Sequence, residues 1–156
     1  MEQYIQPFIE VSVRVFKEFL HCDLTADRAY FTEKEDFQAW DISGIIGLSG
    51  EARGAVAISM KTETAVKIAD MLTNTPHTYL DSDVIDAVGE IVNIIAGNVK
   101  KHLEEMFQLV ISLPSIVKGK AHAIVWPSER TRIICIPFKI FSGETICLSV
   151  AINTGK

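Results

Sequence analysis

Glu90 and Asn93 stand three residues apart in the run Asp86-Ala-Val-Gly-Glu90-Ile-Val-Asn93-Ile-Ile-Ala-Gly97-Asn-Val-Lys100-Lys101. A carboxylate can hold a cation. A carboxamide can donate one hydrogen bond and accept another at once while remaining neutral. A helix turns about 100° per residue, so Asp86, Glu90, Asn93, Gly97 and Lys100 fall on one narrow stripe. A solvated helix face ordinarily carries interchangeable charges. This one carries Glu, then Asn, then Gly, with the small residues Ala87, Gly89 and Ala96 nearby. Asn and Gly inside a helix cost roughly 0.5–1 kcal/mol each relative to Ala. The pattern suits a surface shaped for close approach by another body.

The element that must carry this stripe is an amphipathic helix. Val84, Val88, Ile91, Ile95 and Val99 fall on its opposite side and are expected to face a core. Asp81 or Ser82 is placed to cap its start, and its pattern runs to about Met106. An earlier helix is expected over 7–20, with Phe8, Val11, Val15 and Phe19 as its apolar stripe and Pro7 in its first turn. Residues 22–38 read as an irregular loop with one short strand. Strands over 40–48 and 55–60 flank the turn Ser49-Gly50-Glu51-Ala52-Arg53-Gly54 and form a hairpin. Thr62 can cap a second helix that runs to Leu72 and stops before Asn74-Thr75-Pro76. The remainder is strand-like over 109–113, 115–118, 132–141 and 144–152, with Ser142-Gly143 as a two-residue turn. The expected fold class is α+β, with helices packed on one face of a largely antiparallel sheet, and residues 1–156 form a single domain.

The 156 residues suffice for one domain with a real core, and 48% of them are hydrophobic. A net charge of −5 and a pI near 5.3 argue against a nucleic-acid partner, and no basic cluster exceeds Lys100-Lys101. No apolar run approaches the roughly 18 residues of a membrane span, and the first residues do not read as a signal peptide. No membrane partner is expected. Cys22, Cys135 and Cys147 match no zinc spacing. With a two-residue turn at Ser142-Gly143, Cys135 and Cys147 would sit on opposite sheet faces, which disfavours a disulfide. A reduced, cytoplasmic protein is the simplest reading.

Other tempting features have plainer readings. Gly44-Ile-Ile-Gly47-Leu-Ser-Gly50-Glu-Ala-Arg-Gly54 lacks the ending of a phosphate loop and leads into a strand, so its glycines are read as strand and turn residues. The four histidines, His21, His77, His102 and His122, are scattered, and His102 falls toward the inner side of the key helix. No metal-ligand cluster is expected. Trp40 and Trp126 read as core or interface aromatics, and Gly97 alone reads more readily as a helix-packing contact.

The run Glu90-Ile-Val-Asn93-Ile-Ile-Ala-Gly97-Asn98 resembles the Glu-x-x-Asn signature of the CheC/CheX/FliY chemotaxis phosphatases. Further blocks in the same order resemble the CheX branch: Pro7-Phe8-Ile9-Glu10, Asp41-Ile-Ser-Gly-Ile-Ile-Gly-Leu-Ser-Gly50, Ile111-Ser-Leu-Pro114-Ser-Ile-Val-Lys-Gly119 and Ile136-Pro-Phe138. The resemblance implies an enzyme that docks its helix stripe on a phosphorylated CheY-like response regulator. Asn93 would orient a water for in-line attack on the aspartyl phosphate, and Glu90 would pair with a lysine of the regulator. Asp86, Gly97, Lys100 and Lys101 would contact the partner. CheC-type members carry two such motifs, whereas here Glu10 is followed by Val13 where a second Asn would stand. One active centre per chain is implied, as in CheX, with no cofactor of its own, Mg in the partner regulator, and a homodimer. Two other readings use the same stripe: a non-catalytic receiver-binding module, and a structural subunit of the flagellar switch.

Overall fold

The computed structural model describes residues 2–32, 39–126 and 131–155. Residues 33–38 of the expected loop lie outside this set. Helix α1 spans Glu2–Leu20 and begins five residues before the expected start, with Pro7 inside it. Its apolar spacing continues backward to Tyr4, whose ring lies 5.8 Å from that of Phe107. Two short strands follow, β1 (Thr25–Ala26) and β2 (Tyr30–Phe31), one more than expected. The first hairpin consists of β3 (Trp40–Gly50) and β4 (Arg53–Met60), and helix α2 spans Thr62–Thr73. Helix α3 spans Ser82–Leu103, stopping three residues short of Met106. Strands β5 (Leu109–Ile111), β6 (Ser115–His122), β7 (Ile134–Ile140) and β8 (Glu144–Asn153) complete the chain.

The strands form one antiparallel sheet in the order β1-β7-β8-β4-β3-β5, with β2 also on β7 and β6 also on β3. Strand alternation gives the sheet a helix-facing side. Ile42, Ile46, Val56, Ile58, Ile136, Phe138, Leu148 and Val150 point there and join Phe8, Val15, Ile68, Val88, Ile91 and Ile95 in a continuous core. Gly44 lets α3 settle close to the sheet. A Cβ at that position would stand 3.0 Å from Val92 Cγ1 and 3.2 Å from Val88 Cγ1. Gly50 takes a φ of 121°, in the region that favours glycine, where β3 turns toward β4. These glycines belong to strands and their turn, as the sequence suggests.

The expected two-residue turn between β7 and β8 is overturned. Ile140 pairs with Glu144, so the β7–β8 loop is Phe141-Ser142-Gly143, three residues rather than two. A one-residue change in loop length reverses which residues share a face. Cys135 therefore pairs with Ser149, and Cys147 lies two residues along on the same side. The Cα atoms of Cys135 and Cys147 are 6.3 Å apart, and the two are joined as a disulfide, against the expectation that all three cysteines are reduced. They lie on the side of the sheet away from the helices, where Trp40 and Ile124 line a small recess beside them. Both tryptophans are half-buried on that side. Cys22 is a free, buried thiol whose proton affinity is raised by burial.

Candidate functional site

Helix α3 is fixed at its start by its own sequence. The Asp81 carboxylate accepts from the Val84 N–H at 2.9 Å, which selects Asp81 over Ser82 as the cap. Lys100, Lys101 and His102 fill the last turn, where cations oppose the negative end of the helix dipole. Val84, Ala87, Val88, Ile91, Val92, Ile95, Ala96, Val99 and Leu103 are buried, so the expected inner side is the real one. Placed against α1, α2 and the sheet, the helix has little freedom to rotate. His102 differs from its expected inward position and is exposed at the helix end, where Leu103 alone of the last three residues reaches the core.

The outer stripe has the composition and exposure of a contact surface. Asp86 and Glu90 are exposed, and Asn93 is half-buried. Among the described residues, Glu90 has no salt-bridge partner and the Asn93 carboxamide has no hydrogen-bond partner. The neighbouring amide, Asn98, behaves differently. It donates to the Ile94 carbonyl at 2.8 Å and accepts from Arg14 at 3.4 Å. Asn93 thus keeps its full donor and acceptor capacity for an external group, whereas Asn98 spends its own within the fold.

Gly97 is not a packing contact. A Cβ added there would meet nothing within 4 Å, so the missing side chain serves no neighbour in this chain. Lys100 pairs with Glu104 at 2.8 Å along its own helix, while Lys101 is exposed with no ion-pair partner among the described residues. The structure therefore gathers Asp86, Glu90, Asn93 and Gly97 as one open stripe and ties Lys100 partly to its own helix.

The segment joining β5 to β6 is a feature the sequence did not flag as part of the site. Pro114 and Ile116 lie 3.6–3.7 Å from a Cβ added at Gly89, so this corner runs beside the stripe. Leu113, next to Pro114, is 86% exposed, an unusual position for leucine. A single apolar residue in a loop gives no periodic signal, which is why it escapes sequence reading. A second missed feature lies at the end of α2. His77, Asp81 and Asp83 bring potential ligand atoms within 4.8 Å of one another, against the expectation of no such cluster.

Comparison with known proteins gives the relationship. Residues 42–139 match the family described as chemotaxis phosphatase CheX. A CheY-P phosphatase CheX from Thermotoga maritima is 29% identical over 113 residues, 71% of each chain. The crystal structure of chemotaxis protein CheX from Vibrio vulnificus superposes with a TM-score of 0.87 at 27% identity, covering 96% of this chain and 99% of that one. A CheX–CheY–BeF3–Mg complex from Borrelia burgdorferi has the same fold, with a TM-score of 0.81 at 24% identity over 96% of this chain and 97% of that one.

Proposed function

Because the chain belongs to the chemotaxis phosphatase CheX family, we propose that it dephosphorylates a CheY-like response regulator through the stripe of α3. The observation that carries this reading is the free carboxamide of Asn93, one turn from the unpaired carboxylate of Glu90, on a helix held by its buried side. The Thermotoga relative bears the name CheY-P phosphatase, which agrees with it.

An aspartyl phosphate is already reactive, and phosphoryl transfer is governed mainly by positioning and electrostatics. No nucleophile or base of this chain is required. The Asn93 carbonyl oxygen accepts a hydrogen bond from the attacking water and so aims the water's lone pair at phosphorus, in line with the leaving carboxylate. The Asn93 amide N–H remains free to donate to the partner. A carboxylate at 93 would repel the phosphoryl group. Glu90 stays one turn away and pairs with the regulator's lysine. Asp86, Lys100 and Lys101 set charge at the rim and act mainly on association rate. Gly97 leaves room for the partner's loops. The Leu113 corner adds apolar contact. Any Mg would be held by the regulator, where it would supply positive charge to the phosphoryl oxygens; Glu90 and Asn93 are left to pair and to orient water.

The same reading includes a cytoplasmic location and a homodimer. Among the described residues, one edge of β6 pairs with β3 and the other pairs with nothing, which makes it a natural edge for a second copy. Molecular mass in solution tests the dimer.

The activity is tested by mixing the purified chain with a phosphorylated receiver and following phosphate release. Asn93→Ala is expected to lower turnover by roughly 10²-fold, the loss typical of one transition-state-positioning group, with affinity for the receiver retained. A variant as fast as the parent removes Asn93 from this role. Binding with no acceleration by the parent would instead make the chain a receiver-binding module.

A further inference from the structure

Helix α2 ends at Asn74, which takes a left-handed φ of 54° and turns the chain back along the helix. The turn delivers His77 to the side of Asp70. One Asp70 oxygen accepts both the His77 backbone N–H at 2.7 Å and the ring Nδ1–H at 2.9 Å. That pair of bonds holds the ring with Nδ1 as the donor and turns Nε2 toward the carboxylates of α3; the hydrogen bond to Asp70, with Asp83 and Asp81 adding to it, raises the ring's proton affinity above its ordinary value. The ring is 3% exposed, and Nε2 is a buried nitrogen with no hydrogen-bond partner. It points toward the start of α3, with Asp83 Oδ2 3.5 Å away. Asp81 stands beside it, with one oxygen committed to the helix cap and the other uncommitted among the described residues.

A buried Nε2 facing carboxylates is unfavourable as a bare lone pair, so it carries either a proton or a cation in the proton's place. A carboxylate behind the far nitrogen of an imidazole is the arrangement that orients metal-ligating histidines and strengthens their donation. We propose that His77 Nε2, Asp81 and Asp83 form a binding site for a divalent transition-metal cation of the zinc type, backed by Asp70. One imidazole and two carboxylates suit such an ion better than magnesium, which prefers oxygen alone. His77 and Asp83 already stand at the roughly 3–3.5 Å separation of adjacent ligands around zinc. The full set spans up to 4.8 Å, so Asp81 or Asp83 must swing inward on binding. Asp83, 66% exposed, has the freedom to do so. The bound ion would tie the α2–α3 turn to the first turn of α3 and hold the helix that carries Glu90 and Asn93.

The test uses the full chain, stripped of metal by a chelator, with zinc ions alone as the probe at neutral pH. Titration calorimetry is expected to give one zinc per chain, and Tm is expected to rise with zinc concentration. Asp83→Asn should bind zinc at least tenfold more weakly while folding normally. His77→Gln should abolish binding; should it fail to fold, Asp83→Asn still decides the matter. Cys22→Ser should bind as the parent does. Absence of zinc binding by the parent means that the cluster holds only a proton. Undiminished binding by Asp83→Asn, or loss in Cys22→Ser, places the metal elsewhere. Each of these results overturns the proposal.

Discussion

Asn93 and Asn98 differ in one respect that decides their roles: one carboxamide is unengaged and the other is bonded to the fold. Replacing Asn98 should therefore show chiefly in stability, and replacing Asn93 chiefly in rate. Glu90→Ala should raise the receiver concentration needed for half-maximal rate and also lower kcat, because its ion pair forms on docking and persists in the transition state. Steady-state dephosphorylation kinetics separate the two effects. Gly97 allows a sharper test. With no atom of its own chain near a new Cβ, Gly97→Ala should stabilise α3 by up to about 1 kcal/mol. Gly97→Leu should retain the fold and weaken receiver binding severalfold, since the added bulk can point only outward. Denaturation midpoints and binding isotherms of the two variants give the answer. These residues were legible in the sequence because helix periodicity places them together. His77 was not, because its cluster depends on a turn whose path no periodicity describes.

At the scale of elements, two joints position the site. Asp41 at the start of β3 caps α2 from across the fold, accepting from the Thr62 N–H at 2.8 Å and the Thr62 hydroxyl at 3.0 Å. Sequence reading gave the capping role to Thr62 itself, because a cap supplied by a residue 21 positions earlier has no local signature. The Thr62 N–H is the main cause that holds the Asp41 carboxyl below its ordinary value. A lowered folded value means that this contribution is present above the ordinary carboxylate range and fades as pH falls through the lowered value. Asp41→Ala should cost about 1 kcal/mol at neutral pH, and the difference from the parent should shrink in acid. Paired urea titrations across that range measure it. The second joint is Gly44 beneath α3. Gly44→Val should cost about 1–3 kcal/mol by overpacking against Val88 and Val92. Any drop in phosphatase rate beyond what the unfolded fraction explains would report tilting of the docking helix.

For the molecule as a whole, the long periodic segments were readable: three helices and most of the strands, with one-sided packing on an antiparallel sheet. What could not be read was register. The three-residue loop at Phe141-Ser142-Gly143 differs from the expected turn by one residue, yet that difference moves Cys135 and Cys147 onto one face. Strand order was equally hidden, since the placing of β8 between β7 and β4 depends on contacts far apart in sequence.

Helix α3 divides its labour between two sides. Its inner residues are committed to α1, α2 and the sheet, and almost any change there is felt by the core. If the stripe is the docking surface proposed above, discrimination among rival receivers in one cell falls to a thin outer ledge and the adjoining Leu113 corner. Such confinement makes partner choice portable. Exchanging those few surface positions between two related phosphatases should redirect which signal is silenced and leave the scaffold undisturbed.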